Sequence, residues 1–257
     1  MQVRIYPPVM QATGEFDGGK ITEQKPIGFP GEGSVVKRVG PLFYWAWGVS
    51  SEEARIGLHP HKGFEIMTYV VEGDAYHGDT LGTDSRVGAG GAQVMQTGSG
   101  VSHEERLAGG TELFQIWFEP DFMEAIRREP TYRQYEHEEF PLENTGAYTV
   151  KTVIGPGAPI ELVADAEVYD VEIQPGAVYT HPVPAGYTLT ALAIRGQGTW
   201  AEADSDREPT VFRTRDFLTS PAASETAASF TNTEEEPLRL ALILVPTTVP
   251  YALFPKR

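Results

Sequence analysis

The sequence predicts an all-β protein that contains two similar β-domains. Its 27 Gly and 20 Pro are spread among short apolar runs, and this punctuation is typical of many short strands joined by turns. A chain of 257 residues suits two domains of roughly 100 to 150 residues each, and one segment of the first half recurs in the second. We therefore expect one domain over residues 1–135 and another over residues 136–257.

Strands are expected in the first half wherever an apolar run is bounded by turn residues. The runs are 42–49, 65–71, 93–97 and 113–118. Residues 121–128 predict a short helix that ends before Glu129-Pro130, because the residue that precedes a proline disfavours the helical region. The polar, acidic segment 135–144 predicts a linker, and strand-like sequence resumes near Tyr148.

An internal repeat decides the domain organisation. Residues 61–73 align without a gap on residues 184–196. The two segments share two glycine positions, an aromatic residue after the first glycine, and apolar or small residues at most other matched positions. Chance similarity between two strand-turn segments is the alternative interpretation. Two copies of one β-domain explain the match better.

Net charge and cysteine content exclude several function classes. The formal net charge of −16 makes the surface repel phosphate, so direct binding to nucleic acid or to an anionic membrane is not expected. The absence of Cys excludes disulfides, thiolate catalysis and cysteine-based zinc sites. No apolar run approaches the roughly 18 residues that span a bilayer, and the start lacks the apolar core of a secretory signal, so we expect a cytoplasmic protein.

Two pairs of potential metal ligands are each spaced by two residues. His59 and His61 are separated by a proline, and His103 and Glu105 follow a glycine-rich turn at 98–100. Because side chains alternate along a strand, the members of each pair point to one face. If both pairs face one barrel interior, three imidazoles and one carboxylate can bind a cation and leave one or two positions open. Considered alone, either pair could equally be surface or hydrogen-bonded side chains.

The predicted donor set limits the choice of metal, and strand alternation predicts which neighbouring residues share its face. Three imidazoles with one carboxylate suit Fe(II), Mn(II), Ni(II), Cu(II) or Zn(II), and open positions favour reactivity over a structural role. Continuing the alternation from His61 places Glu65, Met67 and Tyr69 on the same face. A polar barrel interior needs a functional reason, because burying polar groups is costly.

Several motifs together resemble the pirin family of bicupins. They are HisProHisLysGlyPheGlu at 59–65, ThrTyrValValGluGly at 68–73, HisGlyAspThrLeuGly at 77–82, GlySerGlyValSerHisGluGlu at 98–105, PheGlnIleTrpPhe at 114–118 and ProThrTyrArgGlnTyr at 130–135. The resemblance covers roughly residues 42–135. It implies two tandem cupin domains, which are jelly-roll type β-barrels, with a short helical linker region.

The resemblance also implies the ligands. Pirins bind iron through the residues that correspond here to His59, His61, His103 and Glu105, so one Fe(II) is the expected cofactor, with Mn, Ni, Cu or Zn as alternatives. Glu65 occupies the place of a glutamate ligand in many other cupins and is the first alternative ligand. These residues assign the metal site to the domain at 1–135.

The domain at 136–257 is expected to be a degenerate cupin without a metal site. His181 falls out of register with His59 in the ungapped alignment. The residues expected at the positions of His59, His61, Glu65, His103 and Glu105 are Pro182, Pro184, Thr188, Ser229 and Thr231. No metal can be held by such a set.

A reaction follows from the same resemblance. Some pirins open the heterocycle of flavonols such as quercetin with O2 and release carbon monoxide, so we expect a metal-dependent dioxygenase that takes a flavonol or related phenol. Glu105 or Glu65 would act as general base for the substrate hydroxyl. The candidate pocket residues are Met67, Tyr69, His77, Gln115 and Trp117.

Two alternative functions stay open at this point. Other pirins are iron-binding redox sensors or transcriptional co-regulators without turnover, and the acidic charge means that such a role would run through a protein partner. A cupin isomerase, or a dioxygenase for another phenol, would use the same ligands. A deep opening beside the metal would favour flavonol turnover, because a sensor does not need one.

Overall fold

The computed structural model describes residues 2–203 and 207–256. Met1 and Arg257, the ends of the two predicted domains, lie outside the described residues. Regular structure in the described part is almost entirely β, which confirms the predicted fold class. None of the helices there is long and apolar enough to cross a membrane.

Short strands follow one another along the whole chain. In chain order they are β1 Arg4–Tyr6, β2 Ala12–Phe16, β3 Ile21–Ile27, β4 Leu42–Ser50, β5 Ala54–His61, β6 Glu65–Glu72, β7 Asp74–Asp79, β8 Asp84–Gly88, β9 Ala92–Gln96, β10 Val101–Leu107, β11 Glu112–Phe118, β12 Thr131–Tyr135, β13 Leu142–Asn144, β14 Tyr148–Ile154, β15 Glu167–Ile173, β16 Val178–Val183, β17 Tyr187–Arg195, β18 Gln197–Glu202, β19 Thr210–Arg213, β20 Phe217–Pro221, β21 Thr226–Asn232 and β22 Leu238–Pro246. Short 3-10 turns lie at Pro8–Met10, Asp17–Gly19 and His137–Glu139.

The chain forms two compact units that are not simple halves of the sequence. The first unit contains Met10–Glu139, Glu161–Asp165 and the described part of Pro250–Arg257. The second unit contains the described part of Met1–Val9, together with Phe140–Ile160 and Ala166–Val249. The predicted domain ranges, 1–135 and 136–257, are continuous, whereas these units are not, and the ranges stay a prediction.

Each unit is built from a seven-stranded and a four-stranded antiparallel sheet. The first unit has the orders β12-β9-β6-β11-β4-β3-β2 and β5-β10-β7-β8. The second unit has the orders β1-β20-β17-β22-β15-β14-β13 and β16-β21-β18-β19. Strands β4 to β11 correspond one by one to β15 to β22, so the internal repeat marks two copies of one cupin-type barrel.

The predicted helix and linker are shorter than the sequence indicates. Helix α1 covers only Phe122–Ala125, and the Asp121 carboxylate caps it by accepting the backbone N–H groups of Met123 and Glu124. Part of the segment 135–144 is a strand, because β13 pairs with β14. The acidic composition of this segment does not prevent pairing, since all three residues of β13 are exposed.

The strand ladders correct the alignment of the two copies. In the first unit His103 lies opposite His59 on β5 and opposite Asp79 on β7. Ala228 occupies the same place in the second unit, opposite His181 on β16 and Glu202 on β18. His181, not Pro182, is therefore the equivalent of His59.

One extra residue in a turn explains the error in the alignment. Three residues separate β5 from Glu65, whereas four separate β16 from Thr188, the residue that matches Glu65 in the repeat. The ladders then place Val183 at the His61 position and Phe230, opposite Trp200, at the Glu105 position. The expected equivalents Ser229 and Thr231 are also one residue off, since the ladders put Ala228 and Phe230 at those positions.

His181 is a buried polar residue inside an apolar barrel. Only 4% of its surface is exposed, and the surrounding cluster includes Tyr169, Val183, Trp200 and Phe230. Its Nδ1 forms a 2.9 Å hydrogen bond with the Tyr179 hydroxyl, whereas its Nε2 has no hydrogen-bond partner among the residues that the structure describes. Burial lowers the pKa of His181 to about 4, because a charged imidazole loses its hydration there.

We predict that His181 makes the second unit sensitive to acid. The unfolded chain protonates His181 below its ordinary pKa of 6.5, whereas the folded chain resists until about pH 4. The contribution of His181 to stability is therefore present above pH 6.5 and is lost as the pH falls towards 4, by up to about 3 kcal/mol. His181→Phe should flatten the decline in urea midpoint between pH 7.5 and 4.5.

His137→Phe is the matched control, because His137 is exposed. The urea midpoint of this variant should decline between pH 7.5 and 4.5 as steeply as that of the unchanged chain, because His181 is present in both. If the urea midpoint of His181→Phe declines as steeply as that of the unchanged chain, His181 is not the source of the acid sensitivity.

Candidate metal centre

Pairing of β5 with β10 brings three histidines together. His103 lies directly opposite His59, and the neighbouring pair sets His61 opposite Val101. The His103 Nε2 is 3.0 Å from the His59 Nε2 and 3.0 Å from the His61 Nε2. The ligating atoms of all three lie within 4.8 Å of one another.

These separations fit a shared metal ion. Two imidazole nitrogens bound at about 2.1 Å, at a right angle to each other, are about 3.0 Å apart. A single Nε2 of His103 cannot donate to one neighbour and accept from the other, because a neutral ring nitrogen carries either a proton or a lone pair. A cation resolves this conflict, since it accepts a lone pair from each ring.

Burial favours the neutral form of His61 and His103, and a backbone carbonyl orients the ring of His59. Burial lowers the pKa of His61 to about 4, and burial together with His61 and His59 lowers the pKa of His103 to about 2. The His59 Nδ1 is 2.8 Å from the Gly57 carbonyl oxygen. Because a carbonyl only accepts, this nitrogen carries the proton, and the Nε2 lone pair of His59 points to the other two rings.

Glu105 lies on the same strand but outside the three-histidine group. Both of its oxygens accept hydrogen bonds from the Gln115 Nε2, at 3.1 and 3.0 Å. The Gln115 Oε1 in turn accepts the Trp117 indole N–H at 3.1 Å. Burial raises the pKa of Glu105 to about 7. Of the four predicted ligands, the structure groups the histidines and turns the carboxylate towards Gln115.

Glu65 is held by a different part of the chain. Its Oε1 accepts the Val163 N–H at 2.7 Å and the Gln96 amide at 2.7 Å, and its Oε2 accepts the Ala164 N–H at 2.8 Å. Burial raises the Glu65 pKa, and these hydrogen bonds oppose the rise. With both oxygens occupied, Glu65 anchors the segment Glu161–Asp165 to the first unit and stands apart from the histidines.

Met67 and Tyr69 point away from the face that the sequence alternation predicts. Ile66 belongs to the apolar cluster that contains Trp117, so alternation puts Met67 and Tyr69 on the opposite face of β6. The prediction carried one alternation from His61 into β6, but the strands are separate, and Gly63 turns the chain between them with a φ of +80°.

His77, a candidate pocket residue, contacts His103 through the ring nitrogen of His103 that does not face His59 and His61. Its Nδ1 is 3.4 Å from the His103 Nδ1, and its Nε2 is 2.8 Å from the Asp79 Oδ2. Burial lowers the His77 pKa. Burial alone would raise the Asp79 pKa, but hydrogen bonds from His77, Thr83 and Leu81 outweigh it and hold that pKa below its ordinary value.

Sequence reasoning missed Asp79 and Tyr132. Asp79 shares with His77 the spacing of two residues that identified the ligands, so the same alternation could have found it. The Tyr132 ring stacks on His77 at a centroid distance of 4.2 Å and an angle of 17°. The motif at 130–135 contains Tyr132 but does not indicate its role, because its strand reaches the site by pairing with β9.

An aromatic wall borders the histidines on another side. The Trp117 ring meets His61 edge-on at a centroid distance of 4.8 Å. Phe29 meets Trp117 at 5.0 Å and stacks on Tyr44 at 4.3 Å. A separate cleft of about 340 Å³ borders His77 and Glu105, but none of the three histidines lines it.

Sequence comparison relates this chain to proteins named Pirin or quercetin 2,3-dioxygenase. A family model described as Pirin matches residues 44–118, the stretch that carries all the predicted ligands. A Zymomonas mobilis protein with a provisional quercetin 2,3-dioxygenase name is 33% identical over 165 residues, which is 60% of this chain and 67% of that protein. Human Pirin is 30% identical over 149 residues, 54% of this chain and 50% of that protein. Other curated relatives are matched over about half of their length.

Solved structures share the fold along nearly the whole chain. The Escherichia coli bacterial pirin YhhW in complex with nickel(II) superposes with a TM-score of 0.78 at 22% identity, over 96% of this chain and all of that chain (100%). A quercetin 2,3-dioxygenase from Acinetobacter baumannii superposes with a TM-score of 0.77 at 18% identity, over 98% of this chain and 89% of that chain. These likenesses show the shared fold, and the family model together with the match to two thirds of the Zymomonas mobilis protein shows that the chain belongs to the pirin family.

Proposed function

We propose that this protein is a metal-dependent dioxygenase for a flavonol or a related phenol, with His59, His61 and His103 as metal ligands. The convergence of three Nε2 atoms from β5 and β10 is the observation that carries the proposal. The substrate class is supported by relatives with the quercetin 2,3-dioxygenase name, among them an Escherichia coli protein 46% identical over 68 residues, 25% of this chain and 29% of that protein.

Fe(II) is our first candidate for the metal, with Mn, Ni, Cu or Zn as alternatives that the same donors can bind. When bound, the metal supplies Lewis-acid chemistry that lowers the pKa of a coordinated substrate hydroxyl and supports reaction with O2. Three histidine ligands leave positions for a carboxylate and for substrate. We propose Glu105 for the carboxylate, either as fourth ligand or as the base that takes the hydroxyl proton.

The residues around the histidines support the roles proposed for Glu105 and for the substrate site. Gln115 donates to both Glu105 oxygens and keeps the carboxylate inside the barrel. Trp117 contacts His61 and Phe29 contacts Trp117, and such aromatic surfaces pack well against a flat phenolic ring. Ring opening of a flavonol would consume one O2 for each carbon monoxide released.

Loss of one histidine should remove the metal. His59→Ala and His103→Ala should each weaken Fe(II) binding by at least ~100-fold, because even residues behind the ligands cost 10- to 100-fold when changed. Metal content after anaerobic loading and desalting measures this. His137→Ala, an exposed change, should retain one equivalent. Full metal content in both ligand variants would contradict the assignment.

Quercetin turnover should require metal, O2 and Glu105. Under air the Fe(II)-loaded protein should release carbon monoxide and consume quercetin in equal amounts, and under argon it should do neither. Glu105→Gln should lower kcat by ~100-fold or more, the scale of a lost acid–base group, whereas exposed Glu104→Gln on the other face should not. Bound metal without carbon monoxide would contradict flavonol turnover and favour a redox sensor that acts through a protein partner.

A further inference from the structure

His103 contacts a second buried histidine through the nitrogen that faces away from the proposed metal. We infer that Asp79 and His77 are positioning residues, which form a relay that holds His103 in the tautomer with a free Nε2 lone pair. This inference rests on the proposed metal site. It adds two residues that touch neither metal nor substrate.

The far end of the relay is rigid. The side chains of His77 and Asp79 are 1% and 0% exposed, and the His77 Nε2 lies 2.8 Å from the Asp79 Oδ2. The other carboxylate oxygen accepts the backbone N–H groups of Leu81 at 2.8 Å and Thr83 at 3.0 Å. The Asp79 carboxylate is therefore fixed as an acceptor at the end of β7.

Proton positions follow in sequence from this acceptor. A carboxylate accepts, so the His77 Nε2 carries a proton and the His77 Nδ1 of the neutral ring presents a lone pair. The His103 Nδ1 lies 3.4 Å from that lone pair and completes the contact by donating its proton. The His103 Nε2, 3.0 Å from both other ligand nitrogens, is then left with its lone pair.

The opposite tautomer of His103 would be disfavoured twice. It would set two lone pairs against each other at the buried contact with His77. It would also put a proton on Nε2, in the space between the three histidines where the metal is proposed to bind. A neutral relay of this kind resembles the general way in which an outer partner of a metal-bound histidine fixes the ring and its tautomer.

Tyr132 holds the His77 ring in place. It stacks on His77, and its hydroxyl lies 2.5 Å from the Ser85 hydroxyl and donates to the side-chain Oε1 of Gln93 at 2.9 Å. The ring of His77 is thus fixed both by its hydrogen bonds and by a packed face. This packing favours the ring orientation that contacts His103.

The second unit lacks the relay and keeps a histidine at only one of the three proposed histidine ligand positions, His181. Strand register puts Ala228 at the position of His103, Trp200 at that of His77 and Glu202 at that of Asp79. A barrel of the same topology thus folds with an apolar ring in place of His77. The relay is therefore not a requirement of the barrel itself.

Asp79→Asn tests the relay because this change should reverse the proton positions on His77 and His103. The Asn oxygen can still accept from Leu81 and Thr83, and its amide then donates to the His77 Nε2. That donation moves the His77 proton to Nδ1 and drives the His103 proton to Nε2. We expect the variant to fold and to bind Co(II), the probe metal, ~10- to 100-fold more weakly. Exposed Asp84→Asn, in the same sheet, should bind Co(II) normally.

His77→Phe separates the relay from general damage. The phenyl ring still packs against Tyr132 but has no nitrogen to link residue 79 to His103. The double variant Asp79→Asn/His77→Phe should therefore bind Co(II) no more weakly than His77→Phe alone. Nitrogen-15 spectra of the metal-free protein should place the His103 proton on Nδ1 in the unchanged chain and on Nε2 in Asp79→Asn.

Two results would overturn the relay. One is a His103 proton on Nε2 in the unchanged metal-free protein, a measurement that does not depend on any variant folding. The other is normal Co(II) affinity of Asp79→Asn while the unchanged protein binds the metal. Failure of the unchanged protein to bind Co(II) would instead overturn the proposed metal site, so the two failures are distinguishable.

Discussion

The register between β5 and β10 is the constraint on which the whole site depends. It sets His103 opposite His59, and the pairing of β10 with β7 sets His103 opposite Asp79 and Glu105 opposite His77. Because side chains alternate with a period of two, a slip by one residue would turn His103 out of the barrel. One set of backbone hydrogen bonds therefore assembles the histidine group, the carboxylate beside it and the relay behind it.

Equivalent interior positions carry apolar side chains in the second barrel and polar side chains in the first. The second barrel fills the equivalent positions with Ala228, Phe230 and Trp200, all fully buried in one apolar cluster. The first barrel places His103, Glu105 and His77 there, each at most 5% exposed. Burying such groups costs free energy unless they are paired or bind a ligand, and here hydrogen bonds pair the carboxylate while the three histidines present their lone pairs to one point.

Local sequence patterns predicted the parts of the site that lie on continuous strands. The spacing of His59 and His61 was sufficient to place both rings in the group, and the internal repeat was sufficient to predict two barrels. Patterns failed where a turn interrupts the strand: the turn after His61 reversed the expected face of Met67, and one extra residue before β17 hid the equivalence of His181 and His59. The donors that occupy Glu65 lie almost one hundred positions further along the chain, so no local pattern could indicate them.

The central claim is that three histidine nitrogens bind one metal ion. X-ray absorption at the iron edge of the anaerobically Fe(II)-loaded protein tests it most directly, because imidazole rings produce a characteristic scattering pattern beyond the bound atoms. The account predicts three imidazoles, with light oxygen-type ligands in the remaining positions. A spectrum that requires one imidazole or none would contradict it.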